Sequence, residues 1–133
     1  MSKSKAIVND FLNHLRTRDL KNLVSLFAND VKWEIPGNTK EIKWLGIRKS
    51  KSDVEDFFTM LWKATEPVAA EIHKILFDGN DVVIKGVFTT KMLETERVVT
   101  SVFFIHFVVI EGKITEYTLL EDSYAVSQSL LNN

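Results

Sequence analysis

The chain contains no cysteine. Disulfides, thiolate nucleophiles and cysteine-based metal sites are therefore excluded, and the composition suits a reducing compartment. Proline and glycine are scarce, 2 and 5 in 133 residues, and there is no internal repeat, low-complexity segment or linker. Neither sign of charge dominates: 17 basic residues face 18 acidic ones, for a formal net charge of −1. With no Lys/Arg-rich face to neutralise phosphates, no nucleic-acid partner is expected. No run of about 18 apolar residues exists, so no membrane-spanning helix is expected. The opening "MSKSKAIVNDF" has no long apolar segment behind it and does not read as a signal peptide. The expectation is a soluble, cytoplasmic protein without a membrane partner. The three histidines are scattered, with no HxH or HExxH spacing, so no metal site is expected. A Gly-rich phosphate loop, a dinucleotide fingerprint and a Ser nucleophile elbow are all missing, and no cofactor is expected.

What the chain does have is apolar patterning. Its length fits one domain, taken as 1–133 with short flexible termini, and is enough to bury a core without staples. Ile7, Val8, Phe11, Leu12 and Leu15 recur at helical spacing, and Leu20, Leu23, Val24 and Phe27 repeat the pattern after Asp19, a plausible N-cap. Asn29-Asp30 ends this second helix, Val31 to Ile35 reads as a short strand stopped by Pro36-Gly37, and the polar stretch from Asn38 to Lys51 reads as a loop carrying Trp44 and Gly46. Ser52-Asp53-Val54-Glu55 fits a capping box, followed by a stripe of Val54, Phe57, Phe58, Leu61 and Trp62, with Pro67 ending the helical region. Four strands follow, joined at Asp78-Gly79-Asn80-Asp81, at the polar "LETE" and at Glu111-Gly112-Lys113. The tail "SYAVSQSLLNN" has room for a last turn of helix. The order helix, helix, strand, helix, four-strand meander is the α+β pattern with a mainly antiparallel sheet.

The longest strand, "RVVTSVFFIHFVVI", is apolar on both faces: Val102, Phe104 and Val108 on one side, Phe103, Ile105, Phe107 and Val109 on the other. A sheet with one wet face would alternate. Helices cover one face, and a second copy of the chain is expected on the other, giving a homodimer packed through the sheet.

Element order, length and local motifs together resemble the SnoaL-like branch of the NTF2-like superfamily, from about Ile7 to Val126. "LFANDVKWEIPG" is similar to the family's end of helix two and first strand, "WLGIRKSKSDVEDFF" to its glycine-then-helix-three junction, and "VVIEGKITEYTLLEDSYAV" to its closing hairpin. The resemblance implies a cone: three N-terminal helices packed on a curved, mainly antiparallel sheet, with a pocket at the wide end. This fold hosts isomerases, cyclases, hydrolases, dehydratases and non-catalytic proteins, so it names no reaction. The polar set of the ketosteroid isomerases, relatives with this fold that serve as a standard case of base plus oxyanion hole, is absent. Its positions read Ile35, Phe104 and Phe11. The Arg-x-Asp of limonene-epoxide-hydrolase-like relatives occurs nowhere in the chain.

The resemblance puts Asp122 at a pocket-acid position and Trp33 at a pocket position of the first strand. It turns the Phe104 face, and with it His106, toward the cavity. Glu121 and Asp122 are adjacent and face opposite sides of a regular strand, so one of them enters the cavity. A carboxyl in an apolar cone has its charged form disfavoured, which suits a general base near neutral pH. The site expected is Asp122 as base and His106 polarising a carbonyl, with Trp33, Phe104, Phe11, Trp44 and Phe58 around the ligand, and no metal. The expected function is binding of a small apolar or carbonyl-containing molecule, with cofactor-free isomerisation, aldol cyclisation or dehydration. The alternative is a non-catalytic ligand-binding or NTF2-type interaction module.

Overall fold

The computed structural model describes residues 3–131, and the expectation of flexible termini concerns residues outside that range. Helices α1 (Lys3–Thr17) and α2 (Leu20–Ser25) precede strand β1 (Phe27–Ile35), a short β2 (Gly46–Arg48) and helix α3 (Lys51–Ala64). Strands β3 (Thr65–Asp78), β4 (Asp81–Met92), β5 (Val98–Ile110) and β6 (Lys113–Glu121) form the meander, and α4 (Ser123–Ser129) closes the chain. The six strands make one sheet in the order β2-β1-β6-β5-β4-β3. Only β1 and β6 pair in parallel; the other pairs are antiparallel.

Local chemistry explains most boundaries. Asp19 caps α2 by accepting from the backbone N–H of Asn22. Strand β1 begins at Phe27, four residues before the expected Val31, because Phe27 already pairs with Ile114 and a bulge follows before Lys32. The cap of α3 is Ser50 rather than Ser52: its hydroxyl accepts from Asp53 N–H, and the Asp53 carboxylate accepts from Lys49 N–H. Pro67 lies inside β3, not beyond a helix, and is tolerated there because β3 is the sheet edge. Glu111 and Gly112 both hold positive φ, 49° and 77°, as a two-residue type I′ hairpin turn requires.

The core lies between the helices and one sheet face. Trp33 of β1 stacks on its register partner Tyr117 of β6, with centroids 3.9 Å apart and planes at 12°. Phe11, Phe27, Phe57 and Phe58 pack edge-on or tilted around this pair. The inward face of β5 is the odd-numbered one: Phe103, Ile105, Phe107 and Val109 are buried. Phe104 is 43% exposed and belongs to the outer face with Val102, His106 and Val108. The expectation that His106 and Phe104 face the cone interior is thus corrected. Direct partners in an antiparallel pair share a face. His106 pairs with Thr118 and Phe104 with Leu120, whereas Phe107 pairs with Tyr117 and Ile105 with Leu119.

Gly86, in the middle of β4, lets the Phe103 ring and the β3 backbone approach. A Cβ there would lie 2.5 Å from the Glu71 carbonyl oxygen and 2.7 Å from Phe103 Cζ. Gly86→Ala is expected to destabilise the fold by roughly 1–3 kcal/mol, the usual cost of overpacking. Chemical denaturation checks this, and near-UV circular dichroism should report a displaced aromatic cluster.

Candidate functional site

A cavity of about 790 Å³ opens between α1, α3 and the inner face of the sheet. This volume falls within the range of small-molecule sites. Its walls are mostly apolar. Phe57, Phe58, Leu61 and Trp62 come from α3; Phe88, Phe103, Ile105 and Leu119 come from the sheet; Ala69, Ala70 and Ile72 of the edge strand rim it. Trp44 and Leu45 reach it from the loop after β1. That loop is tied to α3 by Arg48, whose guanidinium donates to the carbonyls of Asp53 (2.8 Å) and Lys43 (3.4 Å) and stands over the Phe57 ring.

The carboxyl in this cavity is Glu121. Its partner across the ladder is Phe103, so it shares the inward face with Tyr117 and Leu119. Asp122 begins a different structure. The buried Ser101 hydroxyl accepts from Asp122 N–H at 2.8 Å, β6 stops, and the Asp122 side chain caps α4 by accepting from Ala125 N–H at 3.0 Å. Asp122 is exposed and does not line the cavity. Its contribution is electrostatic. Desolvation, and secondarily the Asp122 charge, push the Glu121 carboxyl up to about 7 from the usual 4.5. Glu121 has no hydrogen-bond or ion-pair partner among the described residues.

Tyr117 is buried in the aromatic cluster and borders the cavity; burial and the neighbouring Glu121 push its hydroxyl well above the ordinary tyrosine value. It is therefore a neutral hydrogen-bond donor at any physiological pH. Tyr117 was not singled out from sequence. Its inward parity with Phe107 was the signal that could have found it.

The remaining expected residues divide. Trp44 and Phe58 line the cavity. Trp33 and Phe11, 2% and 0% exposed, stand behind the lining as core; the indole N–H of Trp33 is buried with no hydrogen-bond partner. Phe104 lies on the far side of the sheet beneath Lys85. His106 pairs there with Asp81, Nε2 to Oδ1 at 2.7 Å, with both side chains about half exposed. The structure therefore does not bring His106 and Asp122 together, and neither touches the cavity. Among the described residues no three His, Asp or Glu groups converge as a metal site would require, and no helix is long and apolar enough to cross a membrane.

A raised carboxyl pKa carries a stability consequence. Below the ordinary value both folded and unfolded chains hold the proton, and stability is fully present. As pH rises from 4.5 the unfolded chain releases it first, so stability falls, levelling above about 7. The fall is at most about 3 kcal/mol. Glu121→Gln, a neutral isostere, should flatten this slope and be more stable than wild type at about pH 8, but not at about pH 4. Urea denaturation across that range checks it.

Known proteins resemble the chain closely in shape. An NTF2-like protein of unknown function from Burkholderia pseudomallei matches with a TM-score of 0.90 at 17% identity, over 99% of this chain and 100% of that one. An NTF2-like protein from Burkholderia xenovorans matches with a TM-score of 0.87 at 21% identity, over 97% and 96%. TerC, co-crystallised with polyporic acid, matches with a TM-score of 0.77 at 17% identity, over 96% and 97%. At these identities the likeness shows the α+β NTF2-like fold. No curated protein matches the chain. A family model described as a SnoaL-like domain matches residues 8–117, and the chain therefore belongs to the SnoaL-like family.

Proposed function

We propose that this chain binds a small apolar, carbonyl-containing molecule in the cavity and carries out cofactor-free proton transfer on it, with Glu121 as the base. One observation carries this reading: a carboxyl without a protein partner, pushed up to about 7, borders a mostly apolar cavity of about 790 Å³. The Glu121 carboxylate would take a proton from the carbon next to the carbonyl. The C–H bond breaks, its electron pair moves toward the carbonyl oxygen, and the Tyr117 hydroxyl donates a hydrogen bond to the enolate oxygen. Return of the proton at another carbon is isomerisation. Attack of the enolate carbon on a second carbonyl is aldol cyclisation, and loss of a β-hydroxyl as water is dehydration. That TerC, a protein of the same fold, was co-crystallised with polyporic acid supports a small-molecule occupant.

The same reading includes a homodimer packed through the outer sheet face. Val102, Phe104 and Leu120 are 43%, 43% and 53% exposed there, and they are neighbours across β5 and β6. This supports an apolar patch covered by a second copy.

Two measurements follow. In D₂O, followed by ¹H NMR with a panel of aryl ketones, wild type should accelerate exchange of the α-protons, at a rate that rises through about pH 7 to a plateau because the base must be ionised. Glu121→Gln should lower that rate by about 10²–10⁴-fold. An unchanged rate in this variant removes Glu121 as base, and ketones that bind without exchange favour non-catalytic ligand binding. In sedimentation velocity, wild type should run as a dimer and Phe104→Glu as a folded monomer; a monomeric wild type rejects the sheet-packed pair.

A further inference from the structure

Arg18 is placed where a glycine would be easier. It follows α1 directly: Asp19 N–H donates to His14 carbonyl (3.0 Å) and Arg18 N–H to Leu15 carbonyl (3.3 Å), the paired bonds of a Schellman cap. The residue at this position takes left-handed backbone, and Arg18 holds φ 53°. For a non-glycine residue that conformation is disfavoured, because Cβ crowds the carbonyl oxygen. From this position the side chain lines the cavity.

There the guanidinium stands 5.5 Å from the Trp62 ring centroid and gives one hydrogen bond to the Trp62 carbonyl at 3.1 Å. Trp62 is itself cavity wall. No carboxylate of the described residues pairs with Arg18. Its other N–H donors have no protein partner and are not sealed in the core. A half-buried cation with spare donors and no counter-ion, set against an aromatic wall, is arranged to take an anion. Burial already lowers its pKa, so an incoming negative charge would meet a partly desolvated partner. Arg18 and Glu121 both line the cavity and form no ion pair with each other.

We propose that the occupant of the cavity is an amphiphilic organic monoanion, whose charged group pairs with Arg18 while its apolar body lies against Trp62 and the inner sheet face. This deepens, and rests on, the reading that the cavity takes a small molecule. A second negative charge on the ligand is disfavoured beside Glu121, a carboxyl of the same cavity with no cation paired to it.

The test compares two fluorescent probes with the same ring system: 1-anilinonaphthalene-8-sulfonate, an anion, and N-phenyl-1-naphthylamine, which lacks the sulfonate. Wild type should bind both, the anion more tightly, and only the anion should weaken from low to high NaCl. Arg18→Gln should weaken the anion about tenfold or more and leave the neutral probe unchanged, with Arg18→Lys intermediate. Anion binding that ignores both salt and Arg18→Gln overturns the proposal while leaving the cavity reading intact. Equal loss of both probes overturns it in favour of a purely structural role at the α1–α3 junction. Binding of neither probe to wild type rejects the cavity reading and this proposal together. If Arg18→Gln fails to fold, the salt and probe comparison on wild type still decides whether the cavity prefers an anion, and Arg18→Lys, which keeps the charge, tests Arg18 itself.

Discussion

The stack of Trp33 on Tyr117 is the contact on which the rest of the architecture depends. It sits where β1 joins β6, the one parallel pairing of the sheet, and it is ringed by aromatics from α1, α3 and β5. Because strand side chains alternate, seating Tyr117 inward decides every other residue of β6. Leu119 and Glu121 then face inward, and Leu120 faces out. Through the antiparallel register the same decision passes to β5, turning Phe103, Ile105 and Phe107 in and Phe104 and His106 out. A single aromatic contact thus chooses both the acid of the cavity and the composition of the outer face.

The end of β6 completes the site by a different device. Ser101 holds the Asp122 backbone, and Asp122 spends its carboxylate on the first turn of α4. Glu121 is therefore the last inward residue before the chain turns. It is partly buried on the inner strand face and repelled by the charge next to it, so two adjacent acids acquire different roles from their surroundings. One is exposed and hydrogen-bonded; the other is unpaired and desolvated.

Much of this was legible in the sequence. Helix periodicity, the Asp19 cap, the hairpin turns and the order of elements along the chain all follow from local chemistry, and their combination resembles the SnoaL-like family; the parallel pairing of β1 with β6 does not follow from it. The site was read one face away from where it lies. His106 and Asp122 were a self-consistent choice, because residues of that parity do lie on one face of the β5–β6 ladder, but it is the outer face. The chain held a signal against it. Counting β5 from Val99 to Val109, the odd positions are apolar save Ser101, while the even ones include Thr100 and His106. The more apolar set belongs inside.

By itself, then, the sequence determined the elements, their order, the α+β class and the family, because those rest on short-range periodicity, caps and turns. It also determined that one of two adjacent acids would face inward. Only the tertiary structure decided which one, and that a cavity stays open while Trp33 and Phe11 are sealed in the core behind its lining. It also decided that an arginine in strained backbone meets the wall at Trp62. The physical reason is that face selection on a strand is a two-way choice made by packing between elements distant in sequence. A one-residue change in parity costs nothing locally and reverses every side chain.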